Sequence, residues 1–166
     1  MTKITLDIHK FPCLNDNYGY LVHEHYSGET AAIDTPDAEK YLAEAARKGW
    51  TISHILNTHW HPDHAGGNLD VKLSEGDIVE LGRAAARVLD VPGHTLGHIA
   101  YHFADQGVAF VGDSVFALGC GRVFEGTMDM MWNSLSKLKA LPPETMLYCA
   151  HEYTQANARF AVTVDP

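Results

Sequence analysis

The sequence predicts an α+β domain in which β-sheets pack on each other and helices cover the outside. Three observations predict this fold class: many short segments have strand composition, only two have helical periodicity, and no internal repeat is present. The 166 residues, 46% of them hydrophobic, are enough to bury about 70% of the unfolded surface in one core. They are too few for two ordinary domains, so we expect residues 1–166 to form a single domain.

The predicted strands are short apolar or alternating runs bounded by turn residues. In chain order they are Thr2–Phe11, Tyr20–His25, Thr30–Ile33, Ile52–Asn57, Ile78–Leu81, Ala86–Val91, Ile99–Phe103, Val108–Val111 and Met146–Ala150. Two helices are predicted, at Asp37–Lys48, which Gly49 ends, and at about 128–140. The histidines and aspartates of greatest interest directly follow strands, where a rigid sheet can hold side chains from distant parts of the chain.

The composition excludes several classes of protein. A net charge of −9 argues against a nucleic-acid partner, because phosphates require a basic surface. The first residues, MTKITLDIHKF, alternate in polarity rather than forming a signal-peptide core, and no later run is long enough to cross a membrane. The three cysteines show no C-x-x-C spacing and predict neither a disulfide framework nor a thiolate zinc site. We therefore expect a cytoplasmic protein without a membrane partner.

The stretch NTHWHPDHAGGN contains three histidines and an aspartate within six residues, too dense a cluster for chance to be a good explanation. His59 and His61, two apart in an extended loop, can bind one cation. Asp63 and His64 continue the turn and can face a second. Four ligands cannot complete two sites, because a catalytic zinc ion usually takes three protein ligands and a water.

Further ligands are available after three later strands: His94 in VPGHTLGHI, Asp113 in VGDSVF and His151 in YCAHEYT. We favour an assignment that gives one ion His59, His61 and His94, gives the other Asp63, His64 and His151, and makes Asp113 the bridge. Two-metal chemistry suits this arrangement, since a shared water is deprotonated near neutral pH and becomes the nucleophile. The carboxylates Asp63 and Asp113 are accordingly the candidate catalytic groups.

Two residues are predicted to support the ligands rather than to bind metal. His98, four residues after His94, is interpreted as a hydrogen-bonded support. Asp34, in AAIDTPD, is a candidate for orienting a ligand histidine from behind. A role in a turn or a helix cap fits Asp34 equally well.

The motifs LNDNYGYLV, THWHPDHAGGN, VPGHTLGHI, VGDSVFALGCGRVFEGT and YCAHEYTQAN occur in this order across nearly the whole chain. In them the chain resembles the metallo-β-lactamase superfamily, and the last two resemble glyoxalase II, the hydroxyacylglutathione hydrolases. The resemblance implies an αββα sandwich and two divalent metal ions, Zn²⁺ in the first place with Fe or Mn as alternatives, on the seven ligands named above. It also implies hydrolysis of S-D-lactoylglutathione to D-lactate and glutathione in methylglyoxal detoxification.

The substrate contacts follow from the resemblance alone. Arg122 matches the basic residue that meets a glutathione carboxylate, and Phe124 and Tyr153 match positions that line the glutathione site. The chemistry is plausible on independent grounds. A thiol with a pKa near 8.5 can leave as a thiolate, so a thioester needs no protein general acid.

The chain departs from the glyoxalase II pattern in two places. Only 29 residues separate His64 from His94, where the family has a longer segment after HAGGN, and the chain ends at Pro166, where the family continues into a helical domain that supplies basic residues to glutathione. We therefore expect weaker binding of a small-molecule glutathione thioester, and a monomer that can self-associate through exposed apolar surface.

Several other functions remain open at this point. An iron-dependent sulfur dioxygenase shares the H-x-H-x-D-H motif but uses a single iron. A β-lactamase-like hydrolase is a weaker alternative, and so is a metal-dependent nuclease because of the acidic charge. A shortened domain that binds metal with little activity is the alternative from outside the enzymes.

Overall fold

The computed structural model describes residues 5–65 and 73–164. The strands are β1 (Leu6–Cys13), β2 (Asn17–Glu24), β3 (Thr30–Ile33), β4 (His54–Leu56), β5 (Ile78–Leu81), β6 (Ala84–Asp90), β7 (Ile99–Phe103), β8 (Val108–Gly112), β9 (Val115–Phe116), β10 (Gly119–Cys120) and β11 (Met146–Cys149). The α-helices are α1 (Ala38–Lys48), α2 (Pro62–Ala65), α3 (Met128–Lys139) and α4 (Thr154–Val164). No helix within the described ranges is long and apolar enough to cross a membrane.

Two sheets form the centre of the molecule. The first has the order β1-β2-β3-β4, and only its β3–β4 pair is parallel. The second has the order β11-β8-β7-β6-β5, and only its β11–β8 pair is parallel. The short strands β9 and β10 form a separate antiparallel ribbon.

The apolar residues lie in three layers. The largest cluster fills the space between the two sheets and includes Tyr20, Val22, Ile33, Val88, Tyr101, Phe103 and Phe110. A second cluster packs the outer face of the first sheet against Tyr41 and Ala45 of α1. A third includes Leu138 of α3 with the outer face of the second sheet. The order is helix, sheet, sheet, helix, so the predicted α+β sandwich of the αββα type is confirmed.

The two long predicted helices are each capped at the N-terminus by a side chain, and the first ends at the predicted Gly49. The Asp37 side chain caps α1 by accepting a hydrogen bond from the Lys40 N–H, and Gly49 ends the helix in the left-handed conformation. The Thr127 side chain caps α3 in the same way, through the Met130 N–H.

Several predicted boundaries were wrong. The strand β2 begins at Asn17 rather than Tyr20, because it pairs with β1 as far as Cys13. The strand β4 is limited to His54–Leu56 and not Ile52–Asn57. Both α2 and α4 were missed; α4 buries no side chain and so has no strong amphipathic pattern. The predicted first strand before residue 5 and the shortened segment at residues 66–72 lie outside the described residues.

The strand directions bring the ends of five strands to one edge of the sandwich. In the first sheet β3 and β4 run parallel, and in the second β6, β8 and β11 all run in one direction. Each of these five strands is followed by one of the predicted polar residues. Because β2 is antiparallel to β3, the turn between β1 and β2 also lies at this edge.

Candidate metal centre

All seven predicted metal ligands meet at this edge. Their nitrogen and oxygen atoms form three groups, within each of which the atoms lie no more than 4.8 Å apart. The groups are His59 with His61 and His94; Asp63 with His64 and His151; and His59 with His64 and Asp113. We call the first of these the imidazole group and the second the mixed group.

The imidazole group is held by atoms that face one another at short range. His59 Nε2 lies 3.0 Å and His94 Nε2 lies 3.1 Å from His61 Nδ1. His59 and His94 are buried, whereas His61 is half-buried at the surface of the site. Three imidazole nitrogens pointing at one position can satisfy a cation together.

The mixed group is slightly wider. Asp63 Oδ2 lies 3.6 Å from His64 Nε2 and 3.6 Å from His151 Nε2. Asp63 and His64 lie on α2, a single helical turn that begins at Pro62, where the sequence predicted only that the two residues continue the turn after His61. This turn is closed by His61, whose carbonyl accepts hydrogen bonds from the N–H groups of His64 and Ala65.

Asp113 lies between the two groups, with one carboxylate oxygen toward each. Its Oδ2 is 3.3 Å from His94 Nε2. Its Oδ1 is 3.4 Å from His151 Nε2 and 3.6 Å from His64 Nε2. Asp113 can therefore contribute an oxygen to each side of the site.

The donor set fits divalent cations. His64 Nε2 and Asp113 Oδ1 are buried and have no hydrogen-bond partner among the described residues, although buried polar atoms are normally satisfied. Two ligand atoms at 2.0–2.1 Å from one ion and at tetrahedral angles lie about 3.4 Å apart. The separations of 3.0–3.6 Å found here are close to that value. A cation held by the mixed group and Asp113 would satisfy both unpaired atoms.

Behind the mixed group stand two carboxylates. His64 Nδ1 lies 3.1 Å from Asp34 Oδ2, and His151 Nδ1 lies 3.1 Å from Asp16 Oδ1. Asp34 also accepts a hydrogen bond from the Thr58 N–H at 2.7 Å, and its φ is 49°, an uncommon conformation for a residue other than glycine. Such strain persists where surrounding contacts hold it, often at functional sites.

Behind the imidazole group the partners are uncharged. His59 Nδ1 lies 3.1 Å from the Thr58 hydroxyl, and His94 Nδ1 donates a hydrogen bond to the Arg122 carbonyl at 2.7 Å. A carbonyl only accepts, so the proton of neutral His94 is on Nδ1 and the lone pair on Nε2 points into the site. The carboxylates behind His64 and His151 favour the same arrangement.

His98 lies directly beneath Asp113. Its Nε2 accepts a hydrogen bond from the Asp113 N–H at 3.1 Å, and its Nδ1 lies 3.3 Å from the Ser114 hydroxyl. Gly112 has a φ of +50°, and a side-chain carbon there would come within 2.5 Å of the Thr58 hydroxyl oxygen. The close packing of these residues fixes the position from which Asp113 enters the site.

The charges divide the histidines into two kinds. Burial lowers the pKa of His59 far below its usual value and also lowers that of His94. Burial acts on His64 too, but Asp34, Asp113 and Asp63 outweigh it and raise its pKa to about 9. Burial is likewise outweighed at His151, where Asp113 raises the pKa. The mixed group is thus the half of the site with the more negative electrostatic potential.

An open cavity of about 530 Å³ gives access to both groups. Its lining residues are Trp60, His61, Pro62, Asp63, His94, Asp113, Phe124, Glu125, His151 and Tyr153. The Phe124 ring lies edge-on to His94 at 5.3 Å between ring centroids, and Tyr153 stacks on His151 at 5.1 Å. Arg122 is not part of this lining; its guanidinium lies 5.2 Å from the Phe124 ring centroid.

Sequence reasoning missed Asp16 and Thr58 as supports and Trp60 as a lining residue. It also missed Asn17, whose side-chain amide donates to the Asp63 carbonyl at 3.2 Å. A signal for Asp16 and Asn17 was available: the predicted hairpin of β2 and β3 places the start of β2 at the same edge as the end of β3. Trp60 carried no signal beyond its position between two histidines.

Comparison with known proteins identifies the family. A family model of the metallo-beta-lactamase superfamily matches residues 27–77 and 68–151. The hydroxyacylglutathione hydrolase of Hyphomonas neptunium is 63% identical over 187 aligned positions, covering 99% of this chain and 73% of that protein. ETHE1 from Myxococcus xanthus has a TM-score of 0.78 at 28% identity, covering 89% of this chain and 76% of that one. TTHA1623 in a di-iron-bound form has a TM-score of 0.74 at 26% identity, covering 88% and 92%.

The same comparisons show how this chain differs from its relatives. An alignment of 187 positions with a chain of 166 residues contains at least 21 positions that are empty in this chain. The family match is divided into two pieces that overlap at residues 68–77, between His64 and His94. The family and the His/Asp groups together indicate that the chain binds divalent metal. The resemblance predicted from the motifs is confirmed, and the chain belongs to the metallo-β-lactamase superfamily and, within it, to the hydroxyacylglutathione hydrolases.

Proposed function

We propose that this protein hydrolyses glutathione thioesters, with S-D-lactoylglutathione as the substrate and D-lactate and glutathione as products. The observation that carries the proposal is the position of Asp113 between two complete ligand groups, in a chain 63% identical to a hydroxyacylglutathione hydrolase. The cofactors we propose are two divalent ions, Zn²⁺ first, with Fe or Mn as alternatives.

The proposed ligands are the six residues of the two groups together with Asp113, seven in all. The di-iron-bound form of TTHA1623, a protein of the same fold, supports two ions rather than one. When bound, the ions would polarise the thioester carbonyl and lower the pKa of a water enough for it to attack near neutral pH. A single iron in the imidazole group, which is one arrangement for the sulfur dioxygenase alternative, would leave both His64 Nε2 and Asp113 Oδ1 without a partner.

The protein's own residues position the reaction. The outer partners Asp34, Asp16 and the Arg122 carbonyl hold three imidazoles with Nε2 facing the site. This preorganisation means that little needs to rearrange when the substrate arrives. Asp63 and Asp113 supply the negative charge that offsets two cations.

We place the glutathione portion along Phe124 and Tyr153, with Arg122 beside Phe124 available to a carboxylate. Both aromatic side chains line the cavity and can exclude water from the thioester. Burial raises the pKa of Tyr153 to about 12, so its hydroxyl stays protonated at neutral pH. The departing thiolate needs no proton from the enzyme, because a thiol has a pKa near 8.5.

The test is the rate of S-D-lactoylglutathione hydrolysis by metal-reconstituted protein, together with the metal content per chain. For the wild-type protein we expect hydrolysis and two ions per chain. We expect His59→Ala to lose hydrolysis and to bind less metal. His25→Ala, which removes an exposed histidine outside the site, should keep the hydrolysis rate and the metal content of the wild type. Two bound ions without hydrolysis would contradict the substrate. One iron per chain would instead support the dioxygenase alternative.

A further inference from the structure

Trp60 is a large aromatic side chain that lies outside the apolar clusters of the fold. Its indole is 50% exposed, although it stands between two ligand histidines. The indole N–H donates no hydrogen bond to the residues that the structure describes, and Trp60 belongs to none of the three apolar clusters. A single exposed tryptophan is common on protein surfaces; what sets Trp60 apart is that it lines the open cavity of the site.

The ring of Trp60 lies against the imidazole group. Its centroid is 4.8 Å from that of His61, at an interplanar angle of 64°. Phe124 also contacts His61, with 5.9 Å between centroids and an angle of 82°. The half-buried His61 thus contacts two aromatic rings, those of Trp60 and Phe124, and both rings line the cavity.

Three segments form the rim of the cavity. Phe124 and Glu125 come from the loop before α3, Tyr153 from the loop before α4, and Trp60 from the loop between β4 and α2, next to Pro62 at the start of α2. The proposed function assigns Phe124 and Tyr153 to glutathione. A thioester has a second arm, the acyl group on the other side of the reacting carbonyl. Among the lining residues that the structure describes, the Trp60 segment is the part of the rim left for this arm.

We propose that Trp60 contacts the acyl group of the thioester and makes the site favour large apolar acyl groups. This inference rests on the proposed function. An indole offers a broad, rigid apolar face at a low entropic cost, and aromatic pairs gain additional stabilisation beyond area burial. Contact that persists in the transition state raises kcat/KM for the larger acyl group, whereas a small acyl group cannot reach the ring.

The first experiment compares thioesters that differ only in the acyl arm. S-D-Mandeloylglutathione carries a phenyl ring where S-D-lactoylglutathione carries a methyl group. For Trp60→Ala we expect the ratio of kcat/KM, mandeloyl over lactoyl, to fall about tenfold, while Trp60→Phe keeps most of it. The matched control is Trp132→Ala, which removes another exposed indole, 69% exposed on α3 and outside the cavity lining, and should leave the ratio unchanged.

A second measurement is independent of catalysis. S-Benzylglutathione and S-methylglutathione are thioethers that cannot be hydrolysed, and calorimetry gives their affinities for the metal-reconstituted protein. We expect Trp60→Ala to weaken the benzyl compound about tenfold and the methyl compound less than twofold. Equal weakening of both would assign Trp60 to the glutathione arm and overturn the inference.

The outcomes separate the two proposals. If the wild-type protein hydrolyses neither thioester and binds neither thioether, the proposed function fails. If it hydrolyses both and the ratio in Trp60→Ala stays within twofold of wild type, only the role of Trp60 fails. Circular dichroism and metal content of each variant, compared with Trp132→Ala, establish that a fallen ratio reports contact with the acyl group and not a disturbed fold.

Discussion

The imidazole group and the mixed group contain similar ligands but differ in what stands behind them. In the imidazole group, His59 and His94 are backed by a hydroxyl and a peptide carbonyl. In the mixed group, His64 and His151 are backed by the carboxylates of Asp34 and Asp16. The pKa values follow this division, lowered by burial on one side and raised by carboxylates on the other.

This difference indicates that the two halves would differ in their affinity for a cation and in how strongly that cation polarises a substrate. The mixed group concentrates negative charge and should hold its cation more tightly. The imidazole group contributes neutral ligands only, so a cation there keeps more of its charge for polarising a substrate oxygen. It is also the group that contacts Trp60 and Phe124 at the cavity mouth. The greater negative charge thus lies on the mixed-group side of Asp113, while aromatic residues of the cavity contact both sides, Trp60 and Phe124 at His61 and Tyr153 at His151.

The largest effect is expected from removing the carboxylate that both halves share. Asp113→Ala should reduce hydrolysis by at least about 100-fold and lower the metal content from two ions per chain to one or fewer. The control is Asp105→Asn, an exposed carboxylate in the turn between β7 and β8. Two firmly bound ions in Asp113→Ala would show that the two halves are independent sites and that metal binding does not depend on a carboxylate shared between them.

The next largest effect is expected from removing the negative charge of Asp34, which lies behind His64 of the mixed group. Asp34→Asn keeps the size of the side chain, and asparagine tolerates the left-handed backbone that this position requires. We expect the affinity for one of the two ions to fall about 10- to 100-fold while the other changes little. Competition with a chelator, followed by metal analysis, measures both steps.

The matched control for Asp34→Asn is Asp37→Asn, three residues further on. Asparagine still caps α1, so neither ion should be affected. Equal weakening of both ions in Asp34→Asn would mean that Asp34 acts by holding the metal loop through Thr58, rather than through the charge behind His64.

A smaller effect is expected at Asp16, because its side chain is 47% exposed and water screens its charge. Asp16→Asn should weaken the same ion as Asp34→Asn, by less than tenfold. The same chelator competition provides the test. A larger loss than in Asp34→Asn would show that the orientation of His151 matters more than the charge behind it.

The positions of the proposed ligands could be predicted from the sequence because the ends of strands can be predicted. His94, Asp113 and His151 each follow an apolar run that is a strand in the structure, and the parallel directions bring them together. Asp16 and Thr58 were not predicted as supports, since their roles depend on which nitrogen of a distant or neighbouring histidine turns away from the site. The helix α4 was also not predicted, because it buries no side chain and therefore has no strong amphipathic pattern in its sequence.

The smallest effect concerns the pH dependence of the metal-free protein, to which the two groups should contribute with opposite sign. The folded-state pKa of His64, about 9, lies above its ordinary value, so its contribution to stability is present below about pH 6.5 and is lost as the pH rises through 9. The folded-state pKa of His59 is lowered, so His59 destabilises the fold as the pH falls below about 6.5. In EDTA, His64→Gln should therefore reduce the loss of thermal stability between pH 7 and 9.5, while His59→Gln should reduce the loss between pH 7 and 5.5.

Because other buried histidines also oppose protonation, the informative quantity is the difference in Tm between each variant and wild type at each pH. If the two variants shift Tm in the same direction across both intervals, the carboxylates behind the mixed group do not set the charge of its histidines, and the electrostatic division between the two halves is wrong.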